Sequence, residues 1–186
     1  MILNLNFEEN IFFYIMLIDS INIIMDFNQI MNYNVINEFI SHYNEFIVNH
    51  YINIEYDQGY VIIKILSADH ILIAYNQFYF KNNNLHISHL GVNREYRGQY
   101  IGTFLILLSL TIVNKYTELI GLRDTQVTVT LDDMSKSSRK KNNIYISAGL
   151  HYEERDSLLP EMTSSLAHTL RISEINFKSK IKLIKQ

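Results

Sequence analysis

Cysteine is absent from the 186 residues, which excludes disulfides, thiolate metal sites and a cysteine nucleophile. Proline occurs once, at Pro160, while Asn and Ile are abundant. We read that bias as the coding of an AT-rich genome rather than as function. Long apolar runs are missing too: the longest, residues 11–18, stops at Asp19. It is too short to cross a bilayer and no basic segment precedes it, so neither a membrane anchor nor a signal peptide is expected. That places the expected location in a cytoplasm, host or viral. No His-Glu-x-x-His pattern exists, the histidines are scattered, and the expectation is no metal. Positive charge is missing from the whole of residues 1–63, which hold eight acids: Glu8, Glu9, Asp19, Asp26, Glu38, Glu45, Glu55 and Asp57.

The remainder holds all 16 basic residues and 11 of the 19 acidic ones, a balance of +5. Such asymmetry bears on partners, although two ordinary solvated faces would show it as well. With 48% hydrophobic residues a chain of this length can bury one sizeable core. The expectation is therefore a single domain over residues 1–186.

Leu3, Leu5 and Phe7 alternate with Asn4 and Asn6 as a candidate first strand, with residues 11–18 competing for that place. From Asn34, a reasonable N-cap, the apolar positions Val35, Ile36, Phe39, Ile40, Tyr43, Phe46 and Ile47 follow helical spacing. A meander comes next, with strands over 60–66, 70–80 and 85–92 and short polar turns between them. Ile101, Phe104, Leu105, Leu108 and Ile112 mark an amphipathic helix that closes near Gly121. The β-branched stretch 126–131 reads as a strand, followed by a polar loop over 132–142 and a short helix ending at Gly149. Residues 150–155 and 168–175 supply the last two expected strands.

Between the strand at 85–92 and the helix at 101 lies Arg97-Gly98-Gln99-Tyr100-Ile101-Gly102. A strand that feeds a glycine-bearing turn into a helix leaves backbone N–H groups unpaired at the positive end of the helix dipole, which favours a phosphate. Gly98 and Gly102 would let a ligand approach the backbone. No Gly-Lys-Ser/Thr follows, and the third glycine of a dinucleotide fingerprint is missing.

This turn resembles the acetyl-CoA site of the GNAT superfamily of N-acetyltransferases, whose pattern is roughly Val-x-Pro-x-Tyr-Arg-Gly-x-Gly-x-Gly at the end of the fourth strand. The chain has Val92, Arg94 in place of the proline, Tyr96, Arg97, Gly98, Tyr100 in place of the middle glycine, and Gly102. The resemblance covers nearly the whole chain, the first 25 residues fitting least. It implies an α/β (α+β) fold with a mixed, mostly antiparallel central sheet, flanking helices, and splayed fourth and fifth strands. It implies acetyl-CoA as co-substrate, held by Leu90, Gly91 and Val92 and by Arg97, Gly98, Gln99, Tyr100, Ile101, Gly102 and Thr103. Gly91 inside a strand marks a bulge or a close backbone approach in its own right. In the family the pantetheine arm lies in the gap beside this strand, where a backbone N–H near residues 90–92 would polarise the thioester carbonyl.

Two further positions match. Tyr145 and Gly149, in Ile144-Tyr145-Ile146-Ser147-Ala148-Gly149-Leu150, keep the spacing of the family's Leu-Tyr-x-x-x-Gly-Phe. The resemblance makes Tyr145 the general acid for the departing thiolate, and a phenol is protonated at neutral pH as that role requires. A core tyrosine with a satisfied hydroxyl is the plain alternative. His86 stands six residues before Val92, where several GNAT enzymes relay a proton from the amine. A neutral imidazole, ordinarily with a pKa of about 6.5, suits that task, and a histidine bonded to a neighbouring strand is the alternative. On a regular strand His86, Ser88, Leu90 and Val92 share one face and His89 the other, so His86 and His89 would not chelate one metal.

The function so implied is acetyl transfer to a primary amine by direct attack, without a covalent acyl-enzyme. The family's N-terminal helices wall the acceptor side, so an acidic N-terminal half would suit a cationic amine. Candidates are a protein N-terminus, a lysine or a polyamine, and residues 86–91 somewhat resemble the protein N-terminal acetyltransferase branch. A homodimer is compatible with this reading. Lys136, Arg139, Lys140 and Lys141 could touch CoA phosphates, or be a solvated loop like the end bearing Lys178, Lys180, Lys182 and Lys185. No aromatic-interleaved basic face accompanies them, so nucleic acid is not expected as a partner, nor is a membrane. The competing reading is a GNAT fold that has lost catalysis and serves as a binding or structural module.

Overall fold

The structure, a computed structural model, describes residues 2–3, 38–39, 41–43, 50–134, 143–153 and 160–184. Its strands are β1 (Ile2–Leu3), β2 (His50–Asp57), β3 (Tyr60–Ser67), β4 (Leu72–Lys81), β5 (Asn84–Val92), β6 (Thr128–Asp132), β7 (His151–Tyr152) and β8 (Glu161–Ser165). The helices are α1 (Ile101–Leu119), α2 (Ile144–Ser147) and α3 (Leu166–Ile184). One sheet runs in the order β1-β2-β3-β4-β5-β6-β8-β7. Every neighbouring pair is antiparallel except β5 and β6.

Turn chemistry explains the meander. Gln58 and Gly59, then Asn82 and Asn83, all take positive φ, the tight geometry whose twist matches that of paired strands. Register shows how the sheet divides its faces. Tyr56, Val61, Phe78, Ile87, Leu131 and Met162 are successive cross-strand partners, as are Phe80, Leu85 and Val129. Most of these side chains are buried on one face, under α1 and α3. From Ile101 to Leu110 α1 is buried on all sides, because the sheet covers one flank and other elements the rest. Phe104 meets Phe39 at 5.5 Å and Phe177 at 5.8 Å, and Tyr43 meets Phe177 at 5.3 Å between ring centroids. Inside this layer Asn76 Nδ2 donates to Ser109 Oγ at 2.7 Å, tying β4 to α1.

Three sequence expectations are corrected. Residues 50–57, where no element is expected from the sequence, form β2, so the strand leading into the glycine turn is fifth in chain order and the expected fourth-and-fifth pair is β5 and β6. Residues 168–175 are helical: the last strand is β8, and α3 follows it directly. The buried stripe of α3 is Leu166, Thr169, Ser173 and Phe177, and its two hydroxyl residues hide the helical period from an apolar count. Thr169 Oγ1 donates to Ser165 O at 2.8 Å and Ser173 Oγ to Ala148 O at 3.3 Å, which lets both be buried.

The third correction concerns β5. Gln77 pairs with His89 but Phe78 pairs with Ile87, so Ser88 is an extra residue in a β-bulge. The bulge reverses the alternation after Ile87. Leu90 and Val92, opposite Asn76 and Ala74, face the core, while His86 and His89, opposite Tyr79 and Gln77, share the other face. The expected bulge therefore exists, three residues before Gly91.

The expected strand at Leu3, Leu5 and Phe7 is described only as β1. Of the helix expected from Asn34, residues 38–39 and 41–42 are helical, with Phe39 and Tyr43 buried. The basic loop residues Lys136, Arg139, Lys140 and Lys141 lie outside the described residues, as do residues 154–155 of an expected strand. Among the described residues no helix is long and apolar enough to cross a membrane.

Candidate active site

Pairing between β5 and β6 runs from Asn84↔Thr128 to Ile87↔Leu131 and stops there, although β5 continues to Val92. β6 itself ends one residue later, at Asp132, so among the described residues the edge of β5 at 88–92 has no paired strand beside it. The bulge at Ser88 bends β5 where that pairing ends.

From Val92 the chain makes a short 3₁₀ turn at Arg94–Tyr96. Arg97 Nε donates to Val92 O at 3.0 Å and closes the loop onto the end of β5. Gly98 follows at φ +84°, and a Cβ there would meet nothing within 4 Å, so the turn is open on that side. Tyr100, standing where the family pattern has glycine, takes φ 62° and ψ 12°. The backbone thus keeps the left-handed conformation of a glycine at a cost of roughly 1–2 kcal/mol. Its ring packs against the core, and Lys180 Nζ lies 5.1 Å from the ring centroid. Tyr100 has no side-chain cap bond, and its carbonyl accepts the Phe104 N–H at 3.0 Å. The N–H groups of Ile101, Gly102 and Thr103 precede that first helical bond and have no acceptor within the helix.

Gly102 has a different reason from the one its spacing implied. A Cβ there would stand 2.9 Å from Ile144 Cδ1 and 3.4 Å from Val92 Cγ2. The small residue lets α1 pack closely on β5 and α2, and a larger one would have to displace the end of the Ile144 side chain.

Tyr145 is held by groups that the sequence reading passed over. Asn143 Oδ1 accepts from the N–H groups of Tyr145 at 2.7 Å and Ile146 at 3.4 Å, capping α2. Asn143 Nδ2 in turn donates to Asp133 Oδ2 at 2.6 Å, and Tyr152 donates to the same oxygen at 2.6 Å. Asp133 and Asn143 are buried, so this network fixes α2 to the end of β6. The one sequence signal for it was an Asn directly before an apolar run. Burial, then the Asp133 carboxylate, pushes the Tyr145 phenol up to about 12. It stays protonated throughout the neutral range.

His86 is half-buried on the last rung but one of the β5–β6 pairing. Its ring lies 5.0 Å from that of Tyr79, and Nδ1 is 3.0 Å from Thr130 Oγ1. Burial lowers its pKa below the ordinary value, partly offset by Asp132 and Glu161. His89 is exposed on the same face, which withdraws the geometric reason first given against a shared metal. Among the described residues, however, no three His, Cys, Asp or Glu groups are placed to hold a metal ion.

No protein-family model and no curated protein matches the sequence. Several solved structures are similar to the chain. One is PaiA N-acetyltransferase from Thermoplasma acidophilum in complex with coenzyme A, at 19% identity and TM-score 0.45 over 57% of this chain. This chain spans 61% of the length of that protein. Nourseothricin acetyltransferase matches at 14% identity and TM-score 0.40, over 59% of this chain and 67% of its own. KacTA, in a complex with DNA, matches at 14% identity and TM-score 0.48, over 67% and 76%. The chain's own topology is the one expected from its sequence: a mixed, mostly antiparallel sheet whose one parallel pair, β5 and β6, ends ahead of a glycine-bearing turn and the start of a helix.

Proposed function

We propose that this chain is an acyl-CoA-dependent N-acyltransferase that moves acetyl from acetyl-CoA to a primary amine. The observation that supports the reading is the edge of β5 left beyond the end of the β5–β6 pairing, with the turn at 97–103 after it and α2 packed near Gly102 through Ile144. The unpaired N–H groups of Ile101, Gly102 and Thr103, together with Arg97 and the open side of Gly98, suit a pyrophosphate. Gln99 and Tyr100 carry the backbone between them. The edge of β5 at Leu90, Gly91 and Val92 suits an extended pantetheine arm that adds to it as a further strand.

In this reading His86 takes a proton from the ammonium acceptor, and its lowered pKa keeps it neutral and ready to do so near pH 7. The amine then attacks the thioester while a backbone N–H of β5 steadies the oxyanion. Tyr145 faces the sulfur as negative charge leaves with it. At about 12 the phenol is a weaker acid than an ordinary thiol, near 8.5. It therefore acts as hydrogen-bond donor to the developing thiolate, and completes proton transfer where burial also lifts the thiol. The acidic N-terminal half favours a cationic acceptor, a protein N-terminus or a polyamine ahead of an acidic metabolite, with a slight preference for peptides. DNA in the KacTA complex belongs to that protein, and nucleic acid stays open here.

Calorimetry with CoA and an acetyl-transfer assay over a panel of amines test the reading together. Folded wild type should bind CoA, Gly98→Asp should lose binding through charge repulsion and strain at φ +84°, and at least one amine should be acetylated. Absence of binding at millimolar CoA overturns the cofactor assignment. Binding without transfer to any amine identifies a non-catalytic GNAT-like module instead.

A further inference from the structure

Around His86 three polar contacts constrain one another. Thr130 Oγ1 lies 3.0 Å from His86 Nδ1, 3.0 Å from Asn84 Nδ2 and 3.1 Å from Asn84 Oδ1. A hydroxyl has one proton and two acceptor sites, and an amide oxygen has no proton. The 3.1 Å contact is between two oxygens, so the Thr130 proton must lie on it; otherwise two lone pairs face each other. With that proton spent on Asn84 Oδ1, Thr130 Oγ1 can only accept from its other two neighbours. One is the Asn84 Nδ2–H, and the other must be a proton on His86 Nδ1. This arrangement satisfies all three contacts at once. The alternative, Thr130 donating to Nδ1, leaves the oxygen pair at 3.1 Å unbonded.

We infer that Thr130 and Asn84 are positioning residues that hold His86 in its Nδ1–H tautomer, leaving the Nε2 lone pair as the proton acceptor. The device rests on the reading of His86 as the base and adds to it which nitrogen acts and what selects it. Neither partner needs to touch a substrate. Thr130 is the cross-strand partner of His86, and Asn84 stands two residues before His86, opposite Thr128, so the selector is built where the two strands are still paired. One further pair, Ile87 with Leu131, follows before the pairing ends. Other groups on the same face are the Tyr79 ring on β4, His89 on β5, Asp132 on β6 and Glu161 on β8. The two carboxylates favour the imidazolium without choosing a nitrogen for the neutral ring.

The test reads the tautomer directly. Protein labelled with ¹⁵N-histidine is recorded in two-bond ¹H–¹⁵N correlation spectra above the His86 titration, with His86→Gln assigning the signal among the seven histidines. The expected result is a pyrrole-type Nδ1 and a pyridine-type Nε2. Thr130→Val, which keeps the β-branched shape without the hydroxyl, should move the signal towards Nε2–H, and Thr130→Ser should restore it. Asn84→Ala frees the Thr130 proton to turn to Nδ1 and should shift the tautomer the same way, covering the case in which Thr130→Val does not fold. In the transfer assay Thr130→Val should lower kcat with KM little changed, and Thr130→Ser should restore it. A wild-type Nε2–H signal, or an unchanged signal in folded Thr130→Val or Asn84→Ala, overturns the assignment. These spectra need no substrate, so failure of acetyl transfer counts against the proposed function and leaves the tautomer result standing on its own.

Discussion

Tyr145 shows how one residue can be placed by neighbours that do no chemistry. Its backbone N–H is caught by Asn143, and Asn143 is held by the buried Asp133 carboxylate. Tyr145→Phe removes only a hydroxyl, so folding and CoA affinity should persist while kcat falls about 10²- to 10⁴-fold, the usual size of a general acid–base contribution. Steady-state kinetics with calorimetry on the same sample decide it, and unchanged turnover in a chemistry-limited assay returns Tyr145 to a core role. Tyr100 makes the complementary point. A tyrosine stands where the family pattern has glycine, yet the backbone there keeps φ 62° and the turn survives the substitution. Residue identity alone gives no sign of this, because the steric cost is met by packing of the ring against elements far along the chain.

At the scale of elements, α3 carries the clearest consequence of tertiary structure. It runs 19 residues and buries Leu166, Thr169, Ser173 and Phe177 against α1, the 3₁₀ turn at Asp124–Gln126 and sheet residues. Phe177 is fully buried between Phe104 and Tyr43, so Phe177→Ala should cost about 3–5 kcal/mol. Ile175, two residues away, is 57% exposed, and Ile175→Ala should stay within about 0.5 kcal/mol of wild type. Urea denaturation of the pair checks this. Equal losses would place α3 in a different rotation about its axis. The same helix brings Lys180 to Tyr100, a juxtaposition of residues eighty positions apart that no local pattern announces.

For the molecule as a whole two of the perturbed groups, His86 and Tyr145, set limits on stability from opposite sides of neutrality. Burial holds the folded His86 pKa below the ordinary 6.5, so on acidification the unfolded chain takes up its proton first. That contribution is present above about pH 6.5 and is lost as pH falls through the lower folded value. The Tyr145 pKa of about 12 lies above its ordinary 10, so its contribution is present below pH 10 and is lost as pH rises through about 12. Tm should therefore be flat with respect to these groups between about pH 6.5 and 10. His86→Gln should show a shallower acid limb than wild type, and Tyr145→Phe a shallower alkaline one. Scanning calorimetry across pH measures both, and superimposable profiles would remove the linkage.

Local periodicity was enough for the meander, for α1 and for the strand–turn–helix at 85–107, because each is specified by neighbouring residues: alternation, positive-φ turn residues and an apolar helical run. The turn at 97–102 was legible as a local motif, whereas Tyr145 and His86 entered as candidates only through the family resemblance. The end of the chain was not, since α3 hides its period behind Thr169 and Ser173, which are buried only because carbonyls of Ser165 and Ala148 accept their hydroxyls. Nor was the face on which His89 lies, since a single bulge at Ser88 reverses the alternation and a bulge is decided by the partner strand. The sequence by itself determined which residue types stand in the turn and on β5 and α2. The face each takes, the open side of Gly98, the tight packing at Gly102 and the contacts of His86 with Thr130 were decided between strands and helices, which sequence spacing does not encode.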